Sequence, residues 1–217
     1  MYKKSILNIQ KKKFLKIEGD KMHKRNKKLN YEKDFQKDDL TKKILEIYKN
    51  KKFKNKNKNK ILEIGCGDGY RLKFLLKKIK IKKIYGIDPS KLAVRKAKSQ
   101  GIIAKVGTAD YLPFENKKFD MIVFGFCLYL VDDEDLFKVI NEADRTLKNN
   151  GYIIIYDFYS NKIKYNSYKY CKGLKSRHMN YKNFFVVHPL YKLISEQKIL
   201  YEKKKFEGDS DTYLSIS

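Results

Sequence analysis

The apolar positions change their period from one segment of the chain to the next. In DLTKKILEIY (39–48) Leu40, Ile44 and Ile47 recur at helical spacing behind Asp39 or Thr41 as a cap. A Lys/Asn run, YKNKKFKNKNKNK (48–60), then carries almost nothing to bury and reads as a solvated, mobile linker. Beyond it strands and helices alternate. KILEIG (60–65) is a buried strand, and Leu72, Leu75, Leu76 and Ile79 mark one helical face. IKKIYGID (81–88) is a second strand, and 89–100 a second helix with Pro89 at its start and Gly101 past its end. IIAKV (102–106) and FDMIVFGF (119–126) are the third and fourth strands. Leu136, Val139, Ile140, Ala143 and Leu147 draw another helical stripe, opened by the acidic DDED turn and closed by Gly151, before a fifth strand, GYIIIYDF (151–158). Such alternation implies right-handed crossovers and a parallel sheet covered on both faces, with ligands at the carboxyl ends of the strands.

Three of the chain's eleven glycines fall in ILEIGCGDGY (61–70), at the turn from the first strand into the first helix. Backbone approaches a ligand closely at such a turn, and helix N–H groups face it. A dinucleotide fingerprint started at Gly65 and Gly67 requires glycine at position 70, which is Tyr70, and no phosphate-loop Gly-Lys-Ser/Thr is present. Asp88 ends the second strand nineteen positions after Gly69. A carboxylate there suits a ribose diol, because it accepts from both hydroxyls.

ILEIGCGDGY, YGIDPS, GTADYLPFENKKFDMIVFGF and DRTLKNNGYIII together resemble the class I S-adenosylmethionine-dependent methyltransferases of the small-molecule type, over about residues 60–158. The resemblance implies S-adenosylmethionine as cofactor. It places Gly65 and Gly67, with Cys66 and Gly69 of the same loop, beside the methionine part, and it puts Glu63 where it orients backbone or reaches the cofactor amine. Asp88, with Pro89 after it, would hold the ribose, and Ala109 with its neighbours Thr108 and Asp110 would flank the adenine; Phe124 on the fourth strand is a further candidate. The sequence departs from the family where G-D-A-E-x-L-P-F has its acid, since Thr108 stands there and Asp110 follows two residues on. The implied fold is α/β: a doubly wound, Rossmann-like sheet, mostly parallel with an antiparallel seventh strand, plus an N-terminal helical cap. ILYEKKKFE and DTYLSIS would supply the closing pair. The expected division is a helical cap or arm over 1–47, a linker over 48–60 and a methyltransferase domain over 61–217.

A sulfonium methyl is already activated, so positioning an oxygen or nitrogen nucleophile, with a general base where it holds a proton, is the protein's task. Tyr129 and Asp157 lie near the carboxyl ends of strands four and five. The segment SYKYCKGLKSRHMNYKNFFVVHP (167–189) adds His178 and Tyr181, a mixture of rings and polar tips suited to a small hydroxylated substrate. EGDKMHKRNKKLNY (18–31) is the other covering segment. Its first nine residues resemble the G-D-x-x-x-x-R-N segment of methylases of surface-sugar biosynthesis, which implies a sugar or related metabolite as acceptor.

Charge changes this picture least. The net charge is +26, and residues 1–60 hold 22 basic against 7 acidic residues. A nucleic-acid footprint is one reading. Only five of the basic residues are arginine, however, and the lysines travel with Asn, Ile and Tyr and without Trp, the bias of A/T-rich codons. The proline-bearing motifs of base-modifying methylases are replaced by GFCLYL (125–130). A small-molecule substrate is therefore preferred to nucleic acid. Cys66, Cys127 and Cys171 show neither disulfide nor metal-ligand spacing, so no metal is expected. The longest apolar run, MIVFGFCLYLV (121–131), is shorter than the roughly 20 residues that span a bilayer, and the N-terminal stretch lacks a secretory apolar region. A cytoplasmic protein without a transmembrane segment is the expectation.

Overall fold

The computed structural model describes residues 9–32, 34–49, 58–79, 81–200 and 213–216. Five strands form a parallel sheet: β1 (Lys60–Ile64), β2 (Lys83–Asp88), β3 (Ile103–Val106), β4 (Phe119–Gly125) and β5 (Leu147–Tyr159). Two more close its edge, β8 (Gln197–Leu200) and β9 (Tyr213–Ile216), giving the order β3-β2-β1-β4-β5-β9-β8. β9 runs antiparallel to both of its neighbours, as the implied seventh strand requires. A separate antiparallel pair, β6 (Lys164–Ser167) and β7 (Lys175–His178), follows β5.

Two-residue alternation along the strands sends side chains to two cores. Ile61, Ile84, Ala104, Met121 and Val123 meet α3 (Asp39–Lys49), α4 (Tyr70–Lys78) and α5 (Lys91–Ser99) on one face. Leu62, Ile64, Ile87, Ile122 and Phe124 meet α6 (Leu136–Thr146) and α7 (Asn183–Val186) on the other. The sheet is thus covered on both faces.

Several boundaries differ from the sequence reading, each for a local reason. Ser90 is the cap of α5, its hydroxyl accepting from Ala93 N–H, so Pro89 precedes the helix instead of opening it. Asp38, rather than Asp39 or Thr41, caps α3 by accepting from the Thr41 N–H and hydroxyl. Leu147 leaves the α6 stripe and starts β5, opposite Phe119. Tyr48 and Lys49 finish α3 instead of opening a linker. Tyr48 is 1% exposed and bonds Asn59, itself buried, because it lies one turn beyond Ile44 on the same stripe. Lys60 already belongs to β1, and residues 50–57 of the expected linker lie outside the described residues. Of the two stretches expected to close the sheet, 201–207, 211, 212 and 217 lie outside them as well.

The chain before α3 has a different place. α1 (Ile9–Lys13), a π-helical turn (Phe14–Glu18) and α2 (Gly19–Glu32) run across the carboxyl ends of the strands. Gln10 touches Leu130 and Asp132 after β4, Lys11 pairs with Asp110 after β3, Asp20 touches Ser90 after β2, and His23 faces Asp68 after β1 at 4.0 Å. No helix among the described residues is long and apolar enough to cross a membrane.

Candidate functional site

The glycine loop is built by its backbone. Gly65 and Cys66 N–H both donate to Ile87 O, at 2.9 and 3.2 Å, tying the end of β1 to the end of β2. Gly65, Gly67 and Gly69 all have left-handed φ, at 77°, 53° and 76°. Their reasons differ. A Cβ on Gly65 would stand 2.8 Å from Cys127 Cβ, and one on Gly69 3.0 Å from Ala97 Cβ, so these two permit close packing. A Cβ on Gly67 would meet nothing within 4 Å, so only this position of the three borders open space.

Asp88 closes the arrangement. Its carboxylate accepts from Gly67 N–H and from Ser90 N–H, each at 2.9 Å, and burial pushes its pKa up to about 6. Asp20 reaches in from α2, accepting from the Ser90 hydroxyl at 2.6 Å and Leu92 N–H at 3.1 Å. Gly19, before it, is pressed against Pro89 and Ser90; an added Cβ would stand 3.1 Å from Ser90 N. Across the site Ala109 is buried, and Asp110 is bonded by Thr108 and by Lys11. Its pKa is lowered, the Lys11 and Thr108 hydrogen bonds outweighing burial, the largest single influence, which raises it.

Glu63 is buried beneath this loop. It receives a hydrogen bond from Arg71 Nη1, and Arg71 Nε reaches Asp38 at 3.2 Å. A Cβ on Gly125 would come within 2.6 Å of Glu63 Oε1, so the bare backbone of β4 makes room for the carboxylate. Cys66 is packed between Gly86 and the loop, and burial pushes its thiol well up, as expected of a small packing residue. Phe124, expected against the cofactor, has its side chain fully buried in the second core, near Phe185. Alternation along β4 turns it to that face.

The four candidates for catalysis separate. Tyr129, in the short turn Leu128–Leu130, and His178, on β7, both meet Phe158: the Tyr129 ring edge-on at 5.1 Å, the His178 ring stacked at 4.4 Å. Asp157 faces the loop after β4. Its oxygens accept from Cys127, Leu128 and Phe158 N–H, and Tyr129 N–H adds a fourth bond. Burial pushes it up to about 7 against those donors. This geometry is that of a loop anchor. Tyr181 donates its hydroxyl to Arg177 O at 2.6 Å inside the second core, and burial raises its pKa strongly, so its proton is committed to structure.

Sequence reasoning missed the clasp between the cover and the far end of the sheet. Gln10 donates its side-chain amide to Leu130 O at 2.8 Å and accepts from Lys175 N–H at 2.6 Å, while both Asp132 oxygens receive the Gln10 and Lys11 N–H groups. It missed Arg177 as well, buried and paired with Asp133. No spacing in the sequence joins residues so far apart. A carboxylate and an arginine seven apart, Glu18 and Arg25, did carry a signal, since two helical turns place them on one face.

A parallel sheet in this order with an inserted antiparallel strand, a glycine loop after β1 and an acid ending β2 define the class I S-adenosylmethionine-dependent methyltransferase fold. Residues 61–151 match the family model described as a methyltransferase domain. Among solved structures it is similar to the MccD protein, with TM-score 0.57, 22% identity and coverage of 74% of this chain and 75% of that one. It is also similar to a SAM-dependent methyltransferase from Leishmania major, with TM-score 0.54, 18% identity and coverage of 74% and 64%. Among curated sequences it is 29% identical over 158 residues to the uncharacterized protein MJ1252 of Methanocaldococcus jannaschii, covering 64% of this chain and 60% of that one. It is 35% identical over 98 residues to MJ1123 of the same organism, covering 45% and 44%. The chain thus spans less than two thirds of the length of these curated relatives.

Proposed function

We propose that this chain transfers a methyl group from S-adenosylmethionine to an oxygen or nitrogen of a small molecule, a sugar or related hydroxylated metabolite. The observation that carries this reading is the cover: residues 9–25 touch the loops after β1, β2, β3 and β4 and so roof the strand ends where the cofactor residues gather. A roofed site suits a small acceptor better than a nucleic-acid strand.

The residues fit the cofactor. Gly67 leaves open space above a turn with left-handed φ, and beside it Asp88 offers a carboxylate to a diol. When bound, the cofactor supplies an electrophilic methyl on a sulfonium sulfur. Asp88 holds the ribose, Thr108, Ala109 and Asp110 border the adenine, and the Gly65–Gly69 loop borders the methionine part. The cover excludes water, which strengthens every polar contact inside. Tyr129 and His178, converging on Phe158, stand on the acceptor side, where either orients the nucleophile or takes its proton.

The test is methyl transfer from labelled S-adenosylmethionine into cell extract divided into a nuclease-treated metabolite fraction and a nucleic-acid fraction. Label is expected in the metabolite fraction. Label confined to nucleic acid would replace this reading with an RNA or DNA methyltransferase using the basic N-terminal arm; cofactor binding with no transfer would make the chain a cofactor-binding regulator.

A further inference from the structure

Glu18 and Arg25 meet where the cover reaches the acceptor side. Glu18 ends the π-helical turn, a distortion frequent at functional sites. Its carboxylate, 1% exposed, accepts from Arg25 Nη2 at 2.5 Å and from the Tyr168 hydroxyl at 3.4 Å. Arg25 also donates to Tyr168 Oη at 3.2 Å and lies 4.2 Å over the ring of Tyr170, which is half exposed. On one side the next residue, Gly19, abuts Pro89 and Ser90, beside Asp88. On the other, Phe14 and Tyr168 pack with Tyr129, Phe126 and Phe158. Phe126 has φ 60°, a left-handed conformation that strains a bulky residue, and strain of this kind gathers at ligand sites.

We propose that Glu18, Arg25 and Tyr168 form the acceptor-recognition site and that it takes a neutral, hydroxyl-bearing ring compound. This rests on the methyl-transfer reading. One carboxylate and one guanidinium offset each other, so the unit has no net charge with which to draw a phosphate or an ammonium group. Its hydrogen-bonding repertoire is mixed: Glu18 accepts, Arg25 donates and the Tyr168 hydroxyl does both, which matches hydroxyls that are themselves donors and acceptors. Phe14 and Tyr129 supply flat apolar faces next to it. A charged ligand would have to unbalance an ion pair whose carboxylate is fully buried, which is costly.

Saturation-transfer NMR on the full chain, with and without S-adenosylhomocysteine, tests this with methyl glucoside and myo-inositol against glucose phosphate and inositol phosphate. The neutral probes are expected to receive saturation and the phosphorylated ones none. Glu18→Gln keeps the side-chain volume but leaves Arg25 unbalanced; it is expected to weaken the neutral probes about tenfold and to admit the phosphates. Arg25→Lys keeps the charge but loses the planar donor fork, and should weaken the neutral probes without admitting phosphates. A pair that only latches the cover would leave probe preference unchanged in both variants, and that result overturns the proposal, as does saturation of the phosphates alone in the native chain. Calorimetry with S-adenosylhomocysteine separates the two readings. Cofactor binding without any neutral-probe binding defeats the recognition site alone, whereas neutral-probe binding without cofactor binding defeats methyl transfer and with it the acceptor role, leaving only a site for neutral rings.

Discussion

At the ends of β1 and β2 the site is held by contacts between near neighbours: Gly67 N–H reaches Asp88 over 21 residues, and Ser90 N–H reaches it over 2. At the ends of β4 and β5 the contacts run from Gln10 to Leu130, from Tyr168 to Glu18 and from Lys175 to Gln10, over 120, 150 and 165 residues. The first region uses backbone donors and conformations that a few residue types impose. The second uses side chains that meet only because the cover folds back over the sheet. Damage to the first should therefore register in cofactor affinity, and damage to the second in turnover.

The sharpest way to break this division is Asp88→Ala. If Asp88 takes two ribose hydroxyls as proposed, its loss, at about 1.5–3 kcal/mol for each charge-assisted bond, is expected to lower affinity for S-adenosylmethionine by about 100-fold or more. Calorimetric titration measures it, and an affinity unchanged within about threefold would move the ribose site off β2.

Acidification sharpens the same contrast. With Asp88 pushed up to about 6, its ionised form is gained as pH rises through that value. Cofactor affinity is expected to climb about tenfold between roughly pH 5 and 7 and then level off, with a flat profile in Asp88→Asn. Stability moves the other way. The unfolded carboxyl ionises near ~3.9 while the folded one keeps its proton to about 6, so its contribution declines as pH rises between those values. Asp157, pushed up to about 7, extends the decline.

Asp20→Ala probes the seam between the regions. It removes the acceptor of the Ser90 hydroxyl and Leu92 N–H, loosening the cover at β2. Turnover is expected to fall about tenfold while cofactor affinity changes less than about threefold. Equal losses in steady-state kinetics and calorimetry would make Asp20 part of the cofactor site instead. The smallest effect belongs to Tyr181→Phe. Losing the hydrogen bond to Arg177 O should cost about 1 kcal/mol in a denaturant melt and leave turnover unaltered; a loss of turnover without a loss of stability would return Tyr181 to the chemistry.

Much of the first region was legible because its determinants are local. Strand and helix periods, three glycines and one acid at a strand end suffice to place a glycine loop against Asp88. Phe124 shows where legibility stops. In an unbroken apolar run such as MIVF both faces look alike, so nothing in the run says which face α6 and α7 will cover. Tyr48 was hidden by the Lys/Asn composition around it, although its spacing from Ile44 marks it as core. β6 and β7, KYNS and KSRH, have no apolar alternation and take their form from pairing with each other.

By itself the sequence determined the order and type of the sheet's elements and the residues that meet at the ends of β1 and β2, because periodicity and left-handed turns act within a few residues. Tertiary structure decided which aromatic and ionisable side chains serve the core and which the site. Asp157 became an anchor for the loop after β4, Tyr181 a core hydrogen-bond donor, and Glu18 a partner of Tyr168. Each outcome depends on which neighbour arrives from a distant part of the chain, and burial and hydrogen bonding act only once it has arrived.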